Sequence, residues 1–316
     1  MRSKWVALLL VAGLAAGALY SLQSPYRGFQ GDLFLEFPKG SGTRAIARQL
    51  ADAGVVRYPW QFWLARAIHP RATLQAGEYR FDRAASVADV FSRLGHGDVF
   101  YFSLTVPEGS NVFDIARLLE ADGIMPGQAF IEAAKPLEGF LFPSTYRLSH
   151  STTPAALCQM MTAQFRKEWK KLNPDGTADV EKTVTLASLI EKETGLATER
   201  PLVSSVFQNR LRIGMALDCD PTVIYAALLE DRYSGAIHRS DLDRKHPYNT
   251  YQHAGLPPGP IANPGASSIA AALDPAQTEF LYFVANPKGE GHVFSSNLAA
   301  HDKAVRNYRH AARKTR

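Results

Sequence analysis

The sequence predicts an α+β protein with a single N-terminal transmembrane helix, small α/β modules and a larger mixed α+β domain. Three observations lead there. An uncharged apolar run opens the chain, and a strand–turn–helix–glycine pattern occurs twice in the first half. In the second half helices and strands mix without strict alternation. At 316 residues, with 46% hydrophobic and 21% charged residues, the chain can hold two or three modest domains with real cores.

Arg2 and Lys4 precede the run Trp5 to Leu22, and no charge follows until Arg27. Such a stretch lets ~20 residues cross a hydrocarbon core. Positive residues ahead of it put the N-terminus in the cytoplasm and the remainder outside, in the periplasmic or extracytoplasmic space of an inner (plasma) membrane. A cleaved signal peptide usually has an apolar region of only about 7–15 residues, so an uncleaved single-pass anchor is expected, with Trp5 and Tyr20 as interfacial residues. The resulting division is a cytoplasmic tail 1–4, a transmembrane helix 5–24, a polar tether 25–32, a module 33–104 and a domain 105–316. The last opens with a second, repeat-related module 105–135.

The repeat is explicit. Pro38, Gly40, Ser41, Ile46, Ala47, Arg48, Leu50 and Gly54 recur at one constant offset as Pro107, Gly109, Ser110, Ile115, Ala116, Arg117, Leu119 and Gly123. Each copy reads as a strand end, a Pro-Gly turn, a helix and a glycine stop. Two copies are too few for a solenoid, which needs about three. The pattern resembles LysM-like modules, which bind N-acetylglucosamine-containing glycans; turns and helices of this kind serve equally well as a spacer. Between the copies, Ala76 to Phe81 reads as a strand and Ser86 to Leu94 as a helix with Ser86 as N-cap and Asp89 closing a capping box.

Further on, Phe140, Phe142 and Tyr146 are either core or flat faces for sugar rings. A helix is expected over 154–172, followed by the turn Asn173-Pro174-Asp175-Gly176. The next helix carries Glu191 and is stopped by Gly195. Another is capped by Thr198 and runs to Gly214. Strands are expected at 280–285 and 292–294 around Asn286-Pro287-Lys288-Gly289.

The segment Thr185 to Gly195 holds two carboxylates at the end of an apolar run. A carboxylate leaving a buried segment is desolvated, and desolvation favours the protonated form that an acid catalyst needs. Helix phase puts Glu191 and Glu193 about 200° apart, which excludes a tight two-carboxylate dyad from this helix. The alternative is a salt-bridged helix end, with Lys192, Arg200, Arg210 or Arg212 as partner. Ser188 lies one turn before Glu191, as a hydrogen-bond partner or a small packing residue. No G-x-S-x-G elbow, H-E-x-x-H pair, phosphate loop or dinucleotide fingerprint occurs, and no zinc-ligand spacing joins Cys158 and Cys219, so no metal or cofactor is expected. The net charge of +5 suits an anionic neighbourhood. Its one cluster, Arg306 to Arg316, lacks any nucleic-acid motif and reads as a solvated helix end. The polar loops 217–222 and 248–251, joined by the Pro/Gly-rich stretch 255–265, form either a wall for sugar hydroxyls or a stiffened surface loop.

The ordered runs Leu186 to Thr194, Ser205 to Met215, Asp220 to Tyr225, Tyr248 to Tyr251, Gly255 to Ile261 and Leu281 to Ala285 together resemble the endolytic murein transglycosylase family (MltG, YceG-like) over nearly the whole chain. One departure is Asp218-Cys219 before Asp220, where the resemblance leads to a polar pair such as Gln-Thr. The resemblance implies a lyase that cuts the bond between N-acetylmuramic acid and N-acetylglucosamine in peptidoglycan glycan strands, leaving 1,6-anhydro ends, with peptidoglycan synthases as partners. It implies Glu191 as the catalytic residue. Ser188, Glu193, Asn209, Asp220, Thr222, Tyr248, Asn249, Thr250 and Tyr146 are the expected substrate-binding residues. The alternatives are a muramidase that hydrolyses the same bond and a membrane-tethered scaffold that binds glycan without cutting it.

Overall fold

The computed structural model describes residues 2–314. Met1 of the 1–4 tail and Thr315 and Arg316 of the basic end lie outside the described residues, as do the side chains of Arg2, Ser3 and Lys314. The chain separates into two compact units, Met1–Phe102 and Ser103–Arg316.

In the first unit, helix α1 (Arg2–Gln23) is one continuous apolar rod. Its stretch Lys4–Gln23 is long and apolar enough to cross a membrane, and almost all of it is exposed. Leu22, at its end, enters the core of the unit. Strand β1 (Leu33–Phe37), helices α2 (Thr43–Asp52) and α3 (Pro59–Ile68) and strand β2 (Gly77–Phe81) follow, and β1 pairs antiparallel with β2, Leu35 facing Tyr79. Helix α4 (Val87–His96) closes the unit, with the expected Ser86–Asp89 capping box in place. Leu50, Phe62, Tyr79, Val90 and Leu94 are fully buried together. Burying each large side chain contributes about 1.5–3 kcal/mol, and this centre holds the two-stranded ribbon and three helices together.

The strand–helix–helix–strand order then repeats. Strand β3 (Phe102–Thr105), helices α5 (Val112–Ala121) and α6 (Gly127–Ala134) and strand β4 (Thr145–Leu148) succeed one another, and β3 pairs with β4. Helix α5 is α2 displaced by 69 residues at both ends, Thr43 to Val112 and Asp52 to Ala121. The turns before them share one serine bond and one glycine conformation. Ser41 Oγ donates to the Pro38 carbonyl at 2.7 Å and Ser110 Oγ to the Pro107 carbonyl at 2.8 Å. Gly40 and Gly109 both take positive φ, +89° and +75°, a conformation in which a Cβ is strained. The repeat therefore extends beyond the turn and first helix: α3 and α6 share only Ala65 and Ala134 at that offset, yet complete both copies.

Beyond β4 come α7 (Pro154–Leu172), capped by Thr153, and α8 (Val180–Glu193), capped by Asp179. Helices α9 (Arg200–Arg212), α10 (Asp220–Leu229), α11 (Arg239–Leu242) and α12 (Ala266–Leu273) follow. The antiparallel ribbon β5 (Tyr282–Ala285) and β6 (His292–Ser295) precedes the last helix, α13 (Leu298–Lys314). Every residue of α8 from Val184 to Ile190 is buried, and α9, α10 and α12 pack around it.

Three local expectations are corrected. Helix α8 ends at Glu193 on an extended Thr194 (φ −143°), so Gly195 does not cap it. Helix α9 is preceded by Glu199 rather than capped by Thr198, because Thr194 and His292 engage the Glu199 carboxylate and set the start one residue later. Residues 220–222 belong to α10 rather than a loop, with Pro221 near its first position, where a missing N–H costs nothing.

Candidate active site

Glu191 sits in the last turn of α8 with its side chain 5% exposed. Its Oε1 accepts from Arg200 Nη2 at 2.7 Å and its Oε2 from the Gly265 N–H at 2.9 Å. Arg200 opens α9 and Gly265 immediately precedes α12, so three packed helices converge on one carboxylate. The expected burial is present, but not without a charge. Of the cations named as salt-bridge partners, Arg200 occupies the place, 8% exposed and facing Glu191. The Arg200 Nε is itself buried without a hydrogen-bond partner.

Glu108, in the Pro-Gly turn of the second repeat, reaches the same Arg200 Nη2 at 3.4 Å and is half exposed. Helix phase removed Glu193 as a second carboxylate, but the turn brings in another from a distant part of the chain. The space is tight. A Cβ on Gly265 would lie 2.0 Å from Glu108 Oε1, and one on Gly109 would lie 3.3 Å from Glu191 Cγ. Lys192 Nζ donates to the Gly109 carbonyl at 3.2 Å, tying the turn to α8.

Asn263 holds this arrangement from behind. Its backbone exchanges bonds with Gly109 and Ser110, its Oδ1 accepts from the Leu141 N–H, and its Nδ2 donates to Ser110 O and to Glu138 Oε1, both at 2.9 Å. Glu138 Oε2 accepts from the Val112 N–H at 3.0 Å and from the Tyr225 hydroxyl at 3.1 Å. Burial pushes the Glu138 carboxyl up to about 7, against the pull of its bonds from Val112 and Tyr225.

Glu193 points elsewhere, as helix phase requires. Its Oε1 accepts from the Cys219 thiol at 3.0 Å, and burial raises its pKa. It lines a cleft of about 520 Å³ with Arg210, Asp218, Asp220 and Tyr251. Asp220 accepts from the Tyr251 hydroxyl at 2.6 Å. Cys158 and Cys219 are both buried free thiols.

The other expected binding residues are spent on the framework. Ser188 is fully buried, donating to the Thr185 carbonyl and accepting from the Ile261 N–H, which fastens the Pro/Gly-rich stretch to α8. Thr222 and Thr250 bond each other at 3.0 Å, and Thr250 also accepts from the Cys219 N–H. Asn249 donates to the carbonyls of Asp241, Leu242 and Arg244, and Asn209 to those of Thr278 and Phe280. Tyr146 is buried, donates to the Phe142 carbonyl, and has its pKa pushed up to about 12 by burial, so it lies on the core side of the two readings. Tyr248 packs on Tyr225 and faces a cavity of about 470 Å³ that also holds Glu138. Sequence reasoning missed Glu108, Glu138, Asn263 and Gly265 as site residues. The one available signal was in the repeat, where Glu108 stands at the position of Lys39.

A buried carboxylate held by a guanidinium and a backbone N–H forms the candidate site, and no cluster that could hold a metal ion occurs among the described residues. The chain belongs to the YceG-like family, whose profile matches residues 35–307. It is 33% identical over 310 residues to the endolytic murein transglycosylase of Bacillus subtilis strain 168, covering 87% of this chain and 84% of that one. It is 29% identical over 322 residues to the endolytic murein transglycosylase of Streptococcus pneumoniae strain D39, covering 85% of this chain and 57% of that protein's length. A crystal structure of a yceG-like protein from Listeria monocytogenes superposes with a TM-score of 0.56 at 29% identity, covering 87% of this chain and 99% of that one.

Proposed function

We propose that this chain is a membrane-anchored peptidoglycan lytic transglycosylase that uses Glu191 as its acid and then its base. The observation that supports this most directly is the buried Glu191 carboxylate at the convergence of α8, α9 and α12, in a chain whose relatives are named endolytic murein transglycosylases. Arg200 and the Gly265 N–H each occupy one lone pair of a Glu191 oxygen, and each oxygen keeps a second for a proton. Protonated Glu191 gives that proton to the bridging oxygen as the bond to C1 of N-acetylmuramic acid breaks. The C6 hydroxyl of the same sugar closes onto C1 and returns its proton to Glu191. No water is consumed, and Arg200 and Gly265 hold the carboxylate through both transfers.

Glu108 supports a second reading. Retaining hydrolases place two carboxyl groups about 5–5.5 Å apart, and Glu108 and Glu191 meet on one Arg200 nitrogen. Mass spectrometry of glycan digests separates the readings, since anhydro ends are one water lighter than reducing ends. Glu191→Gln is expected to lower cleavage by about 10²–10⁴-fold with the fold intact. Near-full activity of that variant refutes the role of Glu191, and reducing ends alone refute the lyase.

The position of the site outside an inner membrane follows from α1 as anchor with its basic end inside. Cutting would then be confined to glycan near the membrane, where strands are made, which favours peptidoglycan synthases as partners. The strand–helix–helix–strand order of 33–81 supports reading the module 33–104 as LysM-like and glycan-binding.

A further inference from the structure

Helix α3 carries an apolar face that the core does not use. Gln61, Phe62 and Ala65 are buried, whereas Trp60 and Trp63 are 42% and 44% exposed. With Ala67 they follow i, i+3, i+7 spacing, so they form one stripe along the helix. Tyr58 before the helix and Ile68 at its end are also about half exposed. Large aromatic residues in such a stripe are unusual on a surface that meets only water.

The position of this face relative to α1 identifies its partner. Gln61 Nε2 donates to the Ser21 carbonyl near the end of α1. Trp60 closes an apolar groove along α1 together with Leu10, Gly13, Leu14, Gly17 and Ser21. The start of α3 is thus level with the outer turns of the helix that spans the bilayer. Charge agrees: between Asp52 and Glu78 there is no acidic residue, but there are Arg57, Arg66 and Arg71. Tryptophan and tyrosine favour the headgroup region, and neighbouring basic residues are attracted to anionic lipid by ~1 kcal/mol each near the surface.

We propose that α3 is a membrane-docking helix that lays Tyr58, Trp60, Trp63 and Ile68 into the outer headgroup layer beside the anchor, with an anionic phospholipid surface as its partner. The proposal rests on the reading of α1 as a transmembrane anchor. It adds a second attachment, which holds the first unit down on the bilayer.

The four tryptophans, Trp5, Trp60, Trp63 and Trp169, make a direct test possible. Four full-length proteins, each keeping one tryptophan and carrying Trp→Phe at the rest, are reconstituted into phosphatidylcholine–phosphatidylglycerol vesicles with phosphatidylcholine brominated near the headgroup. Matching far-UV circular dichroism establishes that each is folded. Trp60 and Trp63 are expected to lose emission to the bromolipid as Trp5 does, each measured against the same protein in vesicles without bromine. Quenching of Trp5 with Trp60 and Trp63 unchanged by the bromolipid overturns the docking helix and leaves the anchor standing. Unquenched Trp5 overturns the anchor, and the docking helix with it.

Discussion

Replacing Glu138 by glutamine tests the framework behind the candidate active site. Glu138 is held at about 7 against an ordinary 4.5. Between those values the folded chain binds more protons than the unfolded one, so this group's contribution to stability is full below pH 4.5. It is lost as pH rises through about 7. At about 1.4 kcal/mol per pH unit, the loss reaches ~3 kcal/mol. Glutamine cannot titrate, so its stability carries no such slope. It also cannot satisfy every partner. Its oxygen can accept from Val112 N–H and Tyr225, but its Nε2 then meets the Asn263 Nδ2, whose orientation Leu141 and Ser110 fix. Two opposed donors cost about 1–3 kcal/mol. Urea unfolding of the full chain in detergent, followed through Trp169 with the other tryptophans replaced by phenylalanine, gives the stability of the second unit. Glu138→Gln is expected to be clearly destabilised near pH 5, with a deficit that shrinks by ~3 kcal/mol near pH 8.5. A deficit unchanged between the two pH values refutes the argument that burial controls this carboxyl.

Arg200→Met should leave the buried Glu191 carboxyl without its hydrogen-bonding guanidinium, destabilising the second unit by about 1–3 kcal/mol, and thermal unfolding measures it. Arg200→Lys should restore part of that stability but less of the activity, since a shorter, flexible ammonium does not hold the place where one guanidinium nitrogen meets both Glu191 and Glu108. Gly265→Ala puts a Cβ 2.0 Å from Glu108 Oε1, and it is expected to reduce glycan cleavage more than it lowers the melting temperature; equal effects would place the role in stability alone. Gly139→Ala combines φ +87° with a Cβ 2.3 Å from Pro260 Cγ, and should cost at least about 1–3 kcal/mol by urea titration.

Local signals carried much of this architecture. Pro154–Leu172 matches its expected bounds because Thr153 caps it and the turn at Asn173 ends it, both chain-local facts. The first strand, the turn and the first helix of each repeat copy were legible because the Pro-Gly turn and the glycine stop are backbone requirements that survive divergence. Helices α3 and α6 were not, because their inward faces are set by the helices they pack on. In the site, Glu191 was legible as the carboxylate at the end of a buried run. Glu108, Asn263 and Gly265 were not, since they join it from segments 83, 72 and 74 residues away, and no periodicity links them. For the polar residues of the helices and loops, the sequence does not separate a sugar-binding role from a structural one. Asn, Ser and Thr suited to sugar hydroxyls are equally suited to unpaired carbonyls in irregular backbone, and here Asn249, Asn209, Ser188 and Thr222 serve the backbone.

The repeated turn makes the molecule its own comparison. One conformation, with the same serine bond and the same positive-φ glycine, presents Lys39 in the first copy and Glu108 in the second. In the second copy that position meets Arg200 beside Glu191. A single side chain on a reused loop thus separates a turn that joins a strand to a helix from one that also borders a buried carboxylate. Exchanging the two residues changes the charge at each place while leaving the backbone design of both as it is.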